Sequence, residues 1–143
     1  MRRVWVHRPL LVLTLLILLL LRDHSGLVRT ALLASVLHET GHVLAYWHLR
    51  HALPALSISP CGIGLRWQAG IGENPRSLLL TAAAGPAVNL LLCCGTLALM
   101  QLRASCWGYS FAAVNLCTGL FNLLPLGGLD GARILSALGD LHG

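Results

Sequence analysis

The apolar residues of this chain fall into long uncharged runs that are separated by short polar segments. Residues 9–21 form an uncharged run of 13, residues 77–102 and 104–129 form runs of 26 each, and residues 30–49 contain a single charged side chain. A helix needs about 20 mostly apolar residues to cross a bilayer. The pattern therefore predicts an all-α polytopic membrane protein. Its four expected spans cover about residues 4–21, 27–49, 78–102 and 106–125.

The first span has a second interpretation. A charged start followed by a run of about 13 apolar residues is also typical of a secretory signal peptide. The run leads directly into Arg22, Asp23 and His24, however, instead of into a small-x-small cleavage site. We therefore favour a retained anchor, and in both cases the second span enters the membrane from the outside.

The longest block outside the spans, residues 51–76, is too short for a soluble domain of its own. Residues 55–68 contain two short runs of alternating or β-branched residues around Pro60 to Gly64, which is typical of a β-hairpin. We expect a small hairpin here, between helices 2 and 3, and a surface loop is the alternative. Residues 1–143 are thus expected to form one membrane-embedded domain.

Composition and charge agree with a membrane protein. Apolar residues make up 56% of the chain and charged residues 10%, whereas a soluble domain carries about 25% charged residues. The net charge of +5 comes from ten scattered arginines, which argues against nucleic-acid binding. The expected spans put seven arginines on one side and three on the other, so the N-terminus, middle loop and C-terminus are expected in the cytoplasm. The seven are Arg2, Arg3, Arg8, Arg50, Arg66, Arg76 and Arg133, and the three are Arg22, Arg29 and Arg103.

The second span contains a metal-binding motif, His38-Glu39-Thr40-Gly41-His42. On a helix the two histidines are about 40° apart in projection and about 6 Å apart along the axis, so both imidazoles can reach one Zn²⁺. Glu39 lies beside them and can take a proton from a zinc-bound water. A mid-span carboxylate costs about 2.5–3.5 kcal/mol to insert, and residues 30–49 contain no Lys or Arg to neutralise it. These observations predict a zinc site with Glu39 as the general base.

A catalytic zinc site usually has three protein ligands. His48 has the spacing of a third histidine in secreted metalloproteases, but Ala45 stands where that arrangement requires glycine. On a continuous helix His48 lies about 9 Å above His42 and about 120° around the axis, so we expect it at the membrane interface. Asp130 follows the fourth span in a segment with Pro125 and three glycines. Because spans 2 and 4 both run inward, Asp130 is the expected third ligand.

Three motifs in this order resemble the site-2 protease family of intramembrane zinc metalloproteases, in particular its compact bacterial branch with the sporulation-factor-processing proteases. Residues 38–42 match the family's His-Glu-x-x-His, and residues 84–89 are similar to its Ala-Gly-Pro-x-x-Asn. Residues 122–131 follow its Asn-x-x-Pro-x-Pro-x-Leu-Asp-Gly, with Gly127 in place of the second proline. The chain has four expected spans where many relatives have six, and it has no room for the PDZ domain that several relatives carry.

The resemblance implies a role for each motif. His38, His42 and Asp130 would bind one Zn²⁺ per chain, and Glu39 would act as general base and then as general acid. Relatives also have a membrane-inserted β-hairpin at the position of residues 55–68. We therefore expect the hairpin to add an unwound substrate segment as an extra strand.

Four further residues are candidates for contact with substrate or for support of the metal ligands. Asn89 and Asn122 are polar groups in apolar spans, so each needs a hydrogen-bond partner. The family suggests substrate orientation or support of the metal site, and inter-helix hydrogen bonding is the alternative. Ile63 and Leu65 lie in the expected hairpin, where an added strand would pair.

The sequence thus predicts a zinc endopeptidase of the bacterial inner membrane that cuts single-span membrane proteins near the cytoplasmic face, in regulated intramembrane proteolysis. A proteolytically inactive, membrane-embedded zinc-binding protein is the alternative, although a purely structural site more often has four ligands. A metal-ion transporter is less favoured, since one such motif without repeated polar spans makes a poor conduction path. The expected partners are membrane-protein substrates with a transmembrane segment and the lipid bilayer, while a homodimer and a regulatory membrane partner are left open.

Overall fold

The computed structural model of the protein describes residues 4–6, 9–59, 62–66 and 74–142. These residues form five helices and three strands. In chain order the elements are β1 (Val4–Val6), α1 (Pro9–Leu21), α2 (Leu27–Arg50), β2 (Ala55–Ser59), β3 (Gly62–Arg66), α3 (Pro75–Met100), α4 (Cys106–Asn122) and α5 (Asp130–His142).

The first predicted span is wrong at its N-terminal end. Val4–Val6 form strand β1, and α1 begins only at Pro9, so this helix has 13 residues. Strand β1 pairs in parallel with β2, with Val4 opposite Leu56. The partner lies some fifty positions away in the sequence, and an apolar run by itself does not reveal such a pairing. Helix α5 is a second difference, because no helix was predicted after the fourth span.

Helix α3, with 26 residues, is the one helix among the described residues that is by itself long and apolar enough to cross a bilayer. Helix α2 has 24 residues, but the polar side chains of residues 38–42 interrupt its apolar surface. Helix α4 has 17 residues, somewhat short of the usual length of about 20. The helical bundle fits the membrane class predicted from the sequence.

The three strands form one small sheet in the order β1-β2-β3. Strands β2 and β3 are antiparallel, with Ala55 opposite Arg66 and Ser59 opposite Gly62. The connection between them, residues 60–61, lies outside the described residues. Strand β3 is at an edge of this sheet and contacts α2. The sheet therefore lies beside the helix that carries the metal-binding motif.

Small and polar side chains fill the space between the helices, while large apolar side chains point outward. Helix α3 is central and contacts α2, α4 and α5. A Cβ atom at Gly41 would lie 2.8 Å from Val88 Cγ2 and 2.9 Å from the Ala84 carbonyl oxygen, so α2 and α3 meet closely because position 41 is glycine. Buried alanines and exposed leucines complete the pattern, which is the one expected where lipid surrounds a bundle. They include Ala34, Ala82, Ala112 and Ala137 inside and Leu80, Leu91, Leu99 and Leu135 outside.

Asp23 caps the N-terminal turn of α2. Its side chain is fully buried, and its two carboxylate oxygens accept hydrogen bonds from the backbone N–H groups of Val28 (3.2 Å) and Arg29 (3.1 Å). The Arg29 guanidinium donates a further bond of 3.1 Å. Burial alone would raise the pKa of the Asp23 carboxyl, but these donors outweigh it and hold the pKa below its ordinary value. Asp23 thus acts as the capping acid of α2.

We expect Asp23→Asn to lower the melting temperature of the purified full chain in detergent at neutral pH. A carboxyl whose pKa is lower in the folded state stabilises the protein above its unfolded-state pKa, and that contribution is lost as the pH falls through the folded-state pKa. The difference in melting temperature between wild type and variant should therefore become smaller below about pH 4. Asp140→Asn, at an exposed acid of α5, is the control and should leave the melting temperature unchanged. A gap that stays constant at all pH values would contradict this role of Asp23.

Candidate metal centre

Two helices bring the three predicted ligands together. His38 and His42 lie one turn apart on the face of α2 that packs on α3, and Asp130 is the first residue of α5. All three are buried, with 4%, 2% and 4% of their surface exposed. The sequence placed Asp130 in an irregular segment after the fourth span, whereas the structure places it in the first turn of a further helix.

The ligand atoms form an almost equilateral triangle. His38 Nε2 and His42 Nε2 are 3.1 Å apart, and Asp130 Oδ2 lies 3.0 Å from the first and 3.1 Å from the second. Ligands at the corners of a tetrahedron with metal bonds of about 2.0–2.1 Å lie about 3.3 Å apart. Two imidazoles and one carboxylate, converging in this way, are a donor set that suits zinc. The residues present therefore fit one Zn²⁺, and no fourth side chain joins the group among the residues that the structure describes.

Oxygen acceptors fix the orientation of both imidazole rings. His42 Nδ1 donates a hydrogen bond of 2.7 Å to the Thr81 carbonyl, and His38 Nδ1 lies 3.2 Å from Asn89 Oδ1. A carbonyl can only accept, so the proton of His42 is on Nδ1 and the lone pair of Nε2 points at the other two ligands. The same arrangement holds for His38 when Asn89 presents its oxygen. Such partners orient metal-ligating histidines and fix their tautomers.

Glycines make room for this arrangement. A Cβ atom at Gly85 on α3 would lie 2.7 Å from His38 Nε2 and would also collide with the His42 ring. A Cβ atom at Gly131, directly after Asp130, would collide with the backbone carbonyl of Leu123. Both glycines belong to the motifs that carry the family resemblance. Their role is to let α3 and the start of α5 approach the ligands.

Two charged side chains adjoin the triangle. Glu39 follows His38 on α2 and is half-buried, and its Oε2 atom is buried without a hydrogen-bond partner among the described residues. Arg133, one turn into α5, has Nη1 at 3.3 Å from Asp130 Oδ1. The arginine thus holds the carboxylate oxygen that does not face the histidines. Glu39 keeps one oxygen available for another group.

None of the remaining predicted site residues is one of the three converging ligands. Asn122 Nδ2 donates to the Thr118 carbonyl at 2.9 Å, so this amide is bonded within its own helix, α4. His48 is exposed and is not part of the metal-binding cluster. Ile63 and Leu65 are residues of β3, where only the backbone is described.

Sequence reasoning missed Asn115. This residue of α4 is fully buried, and its Nδ2 donates to the Phe111 carbonyl at 2.9 Å, while its Oδ1 has no partner among the described residues. The signal was available, since Asn115 is an amide inside the uncharged run of residues 104–129. Asn89 was identified because it belongs to the motif of residues 84–89, whereas Asn115 belongs to none of the three motifs.

We expect Gly85→Ala to weaken zinc binding about 10- to 100-fold, as displacement of the groups around metal ligands commonly does. The new methyl group would push both histidine rings out of the triangle. The measurement is the dissociation constant of zinc from the purified full chain, by competition with a chelator. Gly95→Ala is the matched control on the same helix, because a Cβ atom there meets nothing within 4 Å. Equal zinc affinity of the two variants would show that Gly85 does not shape the site.

Three comparisons with known proteins bear on the family. No family model matches the chain. Over 118 residues the chain is 33% identical to "Putative zinc metalloprotease Rip3" of Mycobacterium tuberculosis, in strains Erdman and H37Rv. This alignment covers 74% of the chain and 29% of the relative, so the chain spans less than a third of the length of the curated relatives it matches.

The fold matches that of a solved structure, the site-2 protease from Methanocaldococcus jannaschii. The TM-score is 0.67 at 23% sequence identity, and the match covers 94% of this chain and 66% of the archaeal one. Nearly the whole chain thus shares the archaeal fold, and the sequence match adds a metalloprotease relative. The chain thus has the fold of the archaeal site-2 protease and, over 74% of its length, is similar in sequence to the mycobacterial zinc metalloprotease.

Proposed function

We propose that the chain is an intramembrane zinc metalloendopeptidase that hydrolyses peptide bonds in or near transmembrane segments, as in regulated intramembrane proteolysis. The observation that carries the proposal is the buried triangle of His38, His42 and Asp130 with the half-buried Glu39 carboxylate beside it. Three ligands leave one coordination position open, which is typical of catalytic rather than structural zinc sites.

The residues around the triangle have distinct tasks. His38, His42 and Asp130 would hold one Zn²⁺, which when bound would supply Lewis-acid chemistry and would lower the pKa of a water molecule toward about 7. Glu39 would take a proton from the attacking water and then give that proton to the leaving amine. Its Oε2 is suited to this because no described group occupies it. Arg133 keeps Asp130 in place through the second carboxylate oxygen.

The proposed location is the bacterial inner membrane, with a multi-pass topology and with the N-terminus and the active-site face toward the cytoplasm. The outward-facing leucines and the apolar helix α3 support a location in the membrane. The seven-to-three distribution of the arginines supports the orientation. Membrane-protein substrates would then reach the site through the bilayer.

Strand β3 is proposed to hold the substrate. A helical substrate has its peptide bonds hydrogen-bonded internally, so hydrolysis requires an extended segment. Strand β3 lies at the edge of the sheet, and it contacts α2, the helix with Glu39. An edge strand offers unpaired N–H and C=O groups to an added strand. A substrate segment paired there would lie beside α2, the helix that carries Glu39 and two of the three ligands.

We expect Glu39→Gln to reduce cleavage by at least 10²- to 10⁴-fold, because it removes the general base and acid, while zinc stays bound to the three unchanged ligands. Fragments of membrane proteins are compared by proteomics in cells that express wild type or variant, and zinc is measured on the purified chains. Thr40→Val is the control, since Thr40 is exposed and its hydroxyl bonds only to the Val36 carbonyl of its own helix. Fragments that persist with Glu39→Gln would refute the mechanism. Zinc binding without any fragment from the wild type would favour an inactive zinc-binding protein.

We expect proline in β3 to impair cleavage without loss of zinc. Along an antiparallel strand, alternate residues direct their backbone groups toward the partner strand and away from it, and proline removes an N–H group. One variant combines Ile63→Pro with Leu65→Pro, and its counterpart combines Gly62→Pro with Gly64→Pro. One of the two variants removes the N–H groups that point away from β2, toward the added strand. That variant should lower the release of Glu39-dependent fragments at least about fivefold, because loss of about 1 kcal/mol of hydrogen-bond energy has an effect of that size. Unchanged release in both variants would refute strand addition.

A further inference from the structure

Two buried amides of the bundle have complementary unpaired atoms. Asn89 on α3 and Asn115 on α4 are both 0% exposed. Asn89 Oδ1 faces His38 Nδ1, and Asn89 Nδ2 has no partner among the described residues. Asn115 has the opposite deficit, because its Nδ2 is bonded to the Phe111 carbonyl and its Oδ1 is unpaired. One amide thus has a spare donor and the other a spare acceptor.

The two amides lie on faces of α3 and α4 that pack together. Gly119, one helical turn after Asn115, touches Asn89, since a Cβ atom at Gly119 would lie 3.3 Å from Asn89 Cβ. Residues four apart on a helix share a face, so Asn115 lies on the face of α4 that Asn89 meets. Buried polar groups in a membrane bundle have to find partners within the protein or in trapped water.

We propose that Asn115 is a positioning residue for the metal centre: one buried water accepts a hydrogen bond from Asn89 Nδ2 and donates one to Asn115 Oδ1. In the resulting chain of hydrogen bonds, every donor points the same way, from Asn89 toward the Phe111 carbonyl. The Phe111 carbonyl can only accept, so it fixes the amide of Asn115 with Nδ2 toward itself. Asn115 Oδ1 then requires a donor on its other side, and the water that is bonded to Asn89 Nδ2 supplies it.

The consequence reaches the metal ligand. If the Asn89 amide were rotated by 180°, its oxygen would face the water, which would then have to donate to both amide oxygens and would receive no hydrogen bond from either amide. Its Nδ2 would then face His38 Nδ1 and would favour the tautomer with the proton on Nε2. That tautomer has no lone pair on Nε2, the atom that faces the other two ligands. The bridge to Asn115 disfavours this state, and a backbone carbonyl of α4 thereby biases the tautomer of His38, whereas the Thr81 carbonyl sets that of His42 directly.

The inference rests on the metal centre of the proposed function and not on hydrolysis, so its test uses zinc affinity without substrate. We expect Asn115→Leu, which has no acceptor, to weaken zinc binding of the purified full chain in detergent about 10- to 100-fold. Asn115→Asp, whose fully buried carboxyl is expected to be neutral, can still donate to the Phe111 carbonyl and accept on the side of Asn89, so it should bind zinc within a few-fold of wild type. Asn115→Ala repeats the test without added bulk if the leucine variant does not fold.

A double-mutant cycle separates positioning from general packing. If Asn115 acts through Asn89, Asn115→Leu should have no further effect on zinc affinity in an Asn89→Leu background. Phe111→Leu changes the packing of α4 but leaves the Phe111 carbonyl, so it should lower the melting temperature and not the zinc affinity. Wild-type affinity in Asn115→Leu, or an equal loss in both backgrounds, would overturn the proposal. A wild type that binds no zinc would overturn this proposal together with the metal centre, whereas zinc binding without cleavage would overturn only the proposed protease activity.

Discussion

Asp130 at the start of α5 contacts His38 and His42 on α2, and this contact joins the two helices. Helix α3 packs against both of them, and its close packing makes the contact possible. The three ligand atoms lie 3.0–3.1 Å apart. Atoms at this distance in a buried site require the backbones around them to be close. Gly85 lets α3 lie against both imidazoles, and Gly131 lets α5 begin against the end of α4. The glycines of the sequence motifs are thus explained by geometry around the ligands.

A membrane setting explains why the interior is polar. In lipid, apolar side chains gain little from the interior, while each backbone or amide group needs a partner within the bundle. The fully buried side chains here include His42, Asn89, Asn115 and Thr81, and leucines cover the outside. In this bundle the polar contacts specify which helix faces meet. The Thr81 carbonyl and the Asn89 amide each connect α3 to one histidine of α2.

Local patterns in the sequence predicted the parts of the site that depend on one helix. His38 and His42 are four residues apart, and their convergence follows from helix geometry alone. Asp130 was predicted from the direction of the spans, but its place at the start of α5 was not, because a 13-residue helix after a Pro- and Gly-rich segment has no apolar run of its own. Strand β1 was missed for a related reason, since Val4 pairs with Leu56 far along the chain. The part played by Asn115 depends on packing between α3 and α4, and spacing within one helix carries no information about that.

The two sides of the metal-binding motif differ in what surrounds them. Gly41, His38 and His42 are buried toward α3, where glycines and amides fill the space and leave no room for a peptide. Glu39 follows His38 by one position and therefore lies about 100° around the axis of α2, where it is only half-buried. A peptide bond that is to be hydrolysed must reach the metal and Glu39 together, so the proposed substrate has to approach from the Glu39 side. The α3 side then acts as the rigid support that orients the ligands, and access and orientation are provided by different faces of one helix.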